Sequence, residues 1–166
     1  MSRPWRARPL TLLGFALLAL AAEPLCAQTA SEILPDTLRG SFVAAGAPAG
    51  VYEQQEARGG TLLLRWPGLL EGDGATLAIS FERAGAVGQF RQASGSSGGP
   101  DLSWARLAGG VLSSYRLRRD LRGGFSLEVV HRQAVPEGLQ VRWTLIRDGE
   151  IAGSGESLAI RSGAAG

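Results

Sequence analysis

Residues 125–149 have the sequence FSLEVVHRQAVPEGLQVRWTLIRDG. Apolar side chains recur at every second position before and after the turn at Glu137–Gly138, and Asp148–Gly149 closes the second run. Alternation with a period of two indicates a β-strand with one apolar and one polar face. An Asp-Gly or similar pair between two such runs indicates a tight hairpin turn. The stretch therefore predicts two antiparallel strands followed by the start of a third.

The same pattern continues outward along the chain in both directions. Alternating runs cover 77–81, 111–117 and 158–160, and shorter candidate strands are 61–66, 87–92 and 102–107. Turn pairs lie between them at Gly59–Gly60, Asp73–Gly74, Gly109–Gly110 and Gly123–Gly124. Residues 28–60 are weakly patterned, and no long helical period occurs. The sequence predicts an all-β protein, an antiparallel meander of about eight or nine strands.

Two architectures satisfy a meander of this kind. Short turns between consecutive strands favour an up-and-down barrel that closes on itself, and in architecture alone this barrel resembles the lipocalins. The alternative is a two-sheet β-sandwich. A sandwich needs longer connections between its sheets, and only 67–75 and 93–101 are long enough to provide them. The barrel is the preferred prediction.

The first 27 residues are typical of a secretory signal peptide. Arg3, Arg6 and Arg8 precede the apolar run Thr11–Ala22, which is shorter than the about 20 apolar residues of a membrane span. We expect cleavage after Ala27 and export to the periplasm or the medium, with no stable membrane span afterwards. Residues 28–166 are then a single β domain with a flexible loop near 93–101, which is rich in Gly and Ser.

Composition excludes several kinds of function. The charge of +2 belongs to the leader, because removing 1–27 takes away three Arg and one Glu and leaves 14 basic against 14 acidic side chains. No nucleic-acid partner is therefore indicated. A single Cys and a single His exclude a zinc cluster of these ligands, and the sequence contains no Lys for a Schiff base. No metal or cofactor is predicted.

Aromatic and Arg residues on the predicted strands supply the candidate site. Trp66, Trp104, Tyr115, Phe125 and Trp143 fall on alternating positions that would line a barrel interior. His131 shares its face with Phe125, which points it inward as well. An inward Arg91 or Arg106 would require an acidic partner, such as a ligand carboxylate. The candidate ligand-binding residues are Arg91, Trp104, Arg106, Tyr115, His131 and Trp143. In the other interpretation the aromatic residues fill a closed core and both Arg side chains face water.

Three functional hypotheses follow. The first is an exported β-barrel that binds a small apolar or amphiphilic ligand carrying an acidic group. The second is a β-sandwich that acts as an accessory or protein-interaction domain of the envelope through an exposed edge strand. The third is a hydrolase or isomerase that uses His131, with Ser113 or Ser114 and Asp120 as possible members of a triad. No nucleophile motif is present, so a binding role is preferred over an enzyme, and no particular protein partner is indicated.

Overall fold

The computed structural model describes residues 33–45, 52–58, 60–70, 75–94, 101–119 and 122–162. They form a short 3₁₀ turn, Asp36–Leu38, and ten strands: β1 (Gly40–Ala44), β2 (Tyr52–Arg58), β3 (Thr61–Pro67), β4 (Thr76–Arg83), β5 (Gln89–Gln92), β6 (Leu102–Ala108), β7 (Val111–Arg119), β8 (Phe125–Val135), β9 (Gly138–Arg147) and β10 (Glu150–Arg161). Each strand is antiparallel to the next, and β1 pairs with both β2 and β10.

The closed meander confirms the predicted all-β up-and-down barrel. Two expectations are corrected. The strand number is ten instead of eight or nine. The two-sheet sandwich is wrong, because the pairing of β1 with β10 closes the sheet and leaves no free edge among the described strands. The strands that neither the alternating runs nor the shorter candidates include are β1 and β2, both within the weakly patterned residues 28–60. The β2 sequence, YEQQEAR, has polar residues at the inward positions Glu53 and Gln55 and so lacks apolar alternation.

The two ends of the barrel differ. At one end the strands are joined by short turns at residues 59–60, 84–88, 109–110 and 136–137. Ile33, Leu34 and Leu38 are at most 2% exposed and cover this end, which we call the plugged end. At the opposite end, the mouth, the connections are residues 45–51, 68–75, 93–101, 120–124 and 148–149.

Arg161 fastens the N-terminal segment across the plugged end. Its guanidinium donates to the backbone carbonyls of Asp36, Thr37 and Arg39. It also lies 4.9 Å from the ring centroid of Phe42, within cation–π distance. The first and last strands are therefore joined by a side chain as well as by backbone pairing.

The apolar core lies mainly in the plugged half. Its fully buried members come from the N-terminal segment and the inward faces of β1, β3, β4, β7 and β9: Leu34, Leu38, Phe42, Leu62, Leu64, Ile79, Phe81, Leu112 and Leu139. In the mouth half, polar side chains take many of the inward positions. This division places the candidate site near the mouth.

The predicted leader, 1–27, and most of the predicted loop at 93–101 lie outside the described residues. In the part of the chain that the structure describes, no helix has the length and apolar character needed to cross a bilayer.

Candidate ligand-binding site

A small cavity lies inside the mouth half of the barrel. Its volume is about 140 Å³. The strands present its lining to the interior because alternate residues of a strand point to the same face. The lining includes Glu53, Trp66, Val130, Val141, Trp143 and Ser157. Ser157 is exposed, whereas Glu53 and Trp66 are buried, so the cavity opens to solvent beside Ser157.

Glu53 and Arg132 form an ion pair at the inner side of this cavity. Arg132 Nε donates to Glu53 Oε2 at 2.6 Å, and Arg132 Nη1 donates to Ser114 Oγ at 2.7 Å. The guanidinium also lies 5.2 Å from the ring centroid of Trp66. Arg132 is fully buried, while the Glu53 side chain is 10% exposed. Glu53 is thus the member of the pair that faces the cavity.

Burial has the largest effect on the pKa of the Glu53 carboxyl. It raises the pKa of this carboxyl above the ordinary 4.5, although the charge and the hydrogen bond of Arg132 act in the opposite direction. Oε2 accepts from Arg132, and Oε1 has no partner among the described residues. The carboxyl therefore keeps one acceptor oxygen for a donor in the cavity.

A second ion network lies inside the same half of the barrel. Arg116 Nε donates to Asp101 Oδ2 at 2.7 Å, and Arg118 Nη2 lies 3.1 Å from the same oxygen. Glu128 accepts a hydrogen bond from Trp66 Nε1 and lies 4.0 Å from Arg116 Nη1. Asp101, Arg116 and Glu128 are all buried. Since a buried charge requires a partner, these contacts explain how charged residues occupy the interior, and they fix the Trp66 indole as a wall of the cavity.

Two fully buried side chains retain polar atoms without a hydrogen-bond partner among the described residues. They are Nη2 of Arg132 and both polar atoms of the Gln55 amide. Both residues are inward and 0% exposed. Buried polar atoms of this kind ordinarily bind water or a ligand group. The interior can therefore make more hydrogen bonds than the protein itself uses.

Of the six predicted ligand-binding residues, only Trp143 faces the interior. Arg91, Trp104, Arg106, Tyr115 and His131 lie on the outer face, since their neighbours along each strand are the buried ones. The inward direction predicted for Trp104, Tyr115 and His131 is wrong. Arg91 and Arg106 are exposed, as in the alternative interpretation. The apolar alternation of β7 and β8 marks the outer face. Their inward positions hold the buried Arg116, Glu128 and Arg132, which form the ion pairs described above.

On the outer face, four side chains nevertheless form one cluster. The Trp104 and Tyr115 rings are stacked, with centroids 5.1 Å apart and planes 5° from parallel. Tyr115 meets His131 edge-on at 6.5 Å. Ser113 Oγ lies 2.8 Å from Nδ1 of His131. Cross-strand register produces this cluster, because Trp104 pairs with Tyr115 and Ser113 pairs with His131.

The Ser113–His131 contact lacks the surroundings of a catalytic dyad among the described residues. Desolvation, followed by the positive charges of Arg142 and Arg132, lowers the pKa of His131. A triad needs an acid that orients the His and free N–H donors for an oxyanion. Arg142 is the cross-strand neighbour of His131 instead of an acid. Asp120, the predicted third member, lies outside the described residues.

Sequence reasoning missed Glu53, Arg132 and Ser157. Arg132 shares its strand face with Val130 and Glu128, and this combination of one apolar and two charged residues does not resemble a buried face. The only signal that could have found the pair is charge complementarity between one polar face on β2 and another on β8. These residues are separated by 79 positions, and only the closure of the barrel brings them together.

Comparison with protein-family models, curated proteins and solved structures found no similar protein. Within the described residues, no group of three or more His, Cys, Asp and Glu side chains is placed to hold a metal ion. Any function must therefore be inferred from the cavity and the surfaces of the barrel.

Proposed function

We propose that this protein binds a small, mostly apolar ligand in the mouth half of the barrel. The observation that carries the proposal is the cavity between Trp66 and Trp143, which opens beside Ser157 and is also lined by the Glu53 carboxyl. Ligand sites are commonly apolar clefts with a few polar groups that fix the orientation. The lining has this composition, with two indoles, two Val side chains and one carboxyl.

The size of the cavity limits the ligand. At about 140 Å³ it is comparable to an apolar cavity of roughly 150 Å³ that holds benzene in another protein. The buried part of the ligand is therefore about one ring in size. A long acyl chain or a haem would not fit in this volume.

The polar end of the ligand is a hydrogen-bond donor in this proposal. Glu53 Oε1 is an acceptor on the wall of the cavity, which the indoles of Trp66 and Trp143 also line. The acidic ligand group expected from the sequence depended on inward Arg91 or Arg106, and both lie outside the barrel. A protonated amine is the donor that suits a carboxyl beside indole rings, since it gains an ion pair and cation–π contacts.

The test compares three ring-sized probes of different charge. Benzylamine, benzyl alcohol and benzoate are titrated into the protein, and binding is measured by saturation-transfer NMR and by tryptophan fluorescence. We expect benzylamine to bind more tightly than benzyl alcohol, and benzoate to bind least. Glu53→Gln should reduce the preference for benzylamine and retain binding of benzyl alcohol.

Two serines of β10 provide a matched pair of variants. Ser157 lines the cavity opening, whereas Ser154 is an outward residue opposite Thr144. Ser157→Phe should abolish probe binding, and Ser154→Phe should leave it unchanged. Equal binding by both variants, or no binding of any probe to the wild type, would overturn the proposal. Equal affinity for all three probes would refute only the donor preference.

Export remains part of the proposal. We propose that residues 1–27 are removed on passage to the periplasm or the medium. N-terminal sequencing of the protein recovered from those fractions should begin at Gln28. A chain that retains Arg3, Arg6 and Arg8 would contradict it.

A further inference from the structure

Five aliphatic side chains form one row around the outside of the barrel near the mouth. They are cross-strand neighbours on the adjacent strands β6 to β10, and we call them the apolar belt: Leu102, Leu117, Leu127, Ile146 and Ile151. The two ends of the row are strongly exposed, Leu102 at 62% and Ile151 at 72%. Strands usually turn apolar alternation toward the core, so an outward apolar row needs another explanation.

The residues on either side of the belt are arranged in bands. On the mouth side, Phe125 is 43% exposed, and a groove of about 460 Å³ there is lined by Leu117, Arg119, Gly123 and Phe125. On the other side, the next row contains the stacked Trp104 and Tyr115. The row after that contains Arg106 and Arg142, both exposed, and ends at Glu156, which lies 3.9 Å from Arg142. From the mouth, the order is therefore aliphatic, aromatic and charged, with two Arg against one Glu in the charged row.

The opposite side of the barrel has no such bands in its described strands. The outward positions of β2 to β4 include Gln54, Glu56, Arg58, Arg65 and Glu82. These residues are polar or charged, as expected for a surface in water. Outside the β6–β10 side, the exposed large apolar side chains of the described residues are Val43 on β1, which pairs with Ile160 of β10, and Val87 in a turn, and they form no comparable row.

We propose that the apolar belt docks the barrel on the surface of an anionic lipid bilayer, with the β6–β10 side of the mouth tilted into the headgroup region. Interfacial amphipathic helices bury their apolar face about 5–10 Å into the boundary between headgroups and acyl chains, and the belt would reach a similar depth. Two residues along a strand span about 7 Å, which is the distance from the belt to the aromatic row.

The aromatic and charged rows suit the layers above the acyl chains. Trp and Tyr are preferred at membrane interfaces, where their rings lie at headgroup depth. Arg106 and Arg142 would then reach the phosphate level, where positive side chains are attracted to anionic lipid. The order of the bands therefore matches the order of the lipid layers.

A second copy of this chain is the less suitable occupant. Five strands spaced about 4.8 Å apart give the row a length of about 19 Å, and the belt with the aromatic row is about 14 Å high if each row adds about 7 Å. This area is well below the roughly 800 Å² that each partner contributes to a stable protein interface. A bilayer does not require an interface of that size.

The experiment measures binding of the protein, purified as it is exported, to vesicles of equal parts phosphatidylglycerol and phosphatidylcholine. Leu102→Ser and Ile151→Ser should each weaken partitioning about tenfold, because each removes one exposed aliphatic contact with the acyl region. Val87→Ser is the matched control, since Val87 is 91% exposed but lies in the turn between β4 and β5 at the plugged end. It should bind like the wild type.

A second measurement tests whether Trp104 contacts the bilayer. Its result does not depend on whether residues 1–27 have been removed. Vesicles with brominated acyl chains should quench the fluorescence of the wild type, and at lipid concentrations that saturate the binding of both proteins Trp104→Phe should lose that quenching. Absence of vesicle binding, equal losses in Leu102→Ser and Val87→Ser, or quenching unchanged in Trp104→Phe would each overturn the proposal. So would a wild-type dimer that Leu102→Ser dissociates while neither form binds vesicles.

Discussion

Breaking the Glu53–Arg132 pair is the most informative perturbation of the interior. Arg132 is fully buried, and Glu53 and Ser114 are its hydrogen-bonding side chains. Glu53→Leu leaves this guanidinium without an anionic partner in a low-dielectric interior. Removing one partner of a buried pair costs about 3–5 kcal/mol. Because whole domains are stable by only about 5–15 kcal/mol, the variant should lose a large part of its free energy of unfolding.

The double variant separates the charge from the packing. Glu53→Leu combined with Arg132→Met removes both charges and keeps apolar volume in the barrel. Its remaining cost is the buried Ser114 hydroxyl that loses its donor, about 1–3 kcal/mol. The double variant should therefore be more stable than either single variant. The coupling energy from the cycle should be at least about 3 kcal/mol.

Urea unfolding followed by circular dichroism and by tryptophan fluorescence measures all four proteins of this cycle. Arg132→Met alone should resemble Glu53→Leu, since it leaves the Glu53 carboxyl buried without its cation. Single variants that each lose less than about 1 kcal/mol, or losses that simply add, would refute the reasoning. That result would mean that water reaches the pair and screens it.

The other predictions concern pH and the plugged end. Because burial raises the pKa of Glu53 above 4.5, the folded protein holds this proton more tightly than the unfolded chain. The free energy of unfolding of the wild type, relative to Glu53→Gln, should therefore fall as pH rises from about 4.5 to the raised pKa, and equal pH profiles would contradict this. Because the pKa of His131 is lowered from 6.5, NMR titration of this single imidazole should give a midpoint below 6.5. For the same reason, the free energy of unfolding of the wild type, relative to His131→Gln, should fall as pH decreases from 6.5 to that midpoint. Arg161→Met should lower the free energy of unfolding in urea by roughly 1–3 kcal/mol, because three backbone carbonyls of the N-terminal segment lose their donor. A loss below about 0.5 kcal/mol would show that apolar packing alone holds this segment.

Local sequence signals determine most of the fold. The alternating runs and the turn pairs predict strands and hairpins, and the structure confirms the closed meander that they imply. The Asp148–Gly149 turn illustrates why. Asp148 is the only described non-Gly residue with positive φ, at 50°, and Gly149 follows at 90°. This is the backbone shape of the tight hairpin turns that Asp-Gly favours.

The direction of each strand face could not be predicted in the same way. Alternation shows that a strand has an apolar face, but the closure of the barrel decides whether that face points inward. On β9 the apolar residues Leu139 and Val141 are inward, as the pattern suggests. On β8 the apolar residues Leu127 and Val129 are outward, and Arg132 finds its acid on β2 across the interior. A partner 79 positions away leaves no trace in the local pattern.

The reversed faces of β7 and β8 connect the two proposals. The same alternation that turns Arg116 and Glu128 toward the interior turns Leu117 and Leu127 toward the outside, because successive residues of a strand point to opposite faces. A polar interior at the mouth can hold the donor group of a ligand, and an apolar exterior at the same end can contact lipid. On β10, Ser157 follows Glu156, which lies in the same cross-strand row as Arg142, so docking by the β6–β10 side would place the opening beside Ser157 at the headgroup level. Ser157→Phe should therefore lose probe binding while it still binds vesicles, and Leu102→Ser should lose vesicle binding while it still binds the probe. Loss of both activities in either variant would show that one site, and not two, carries them.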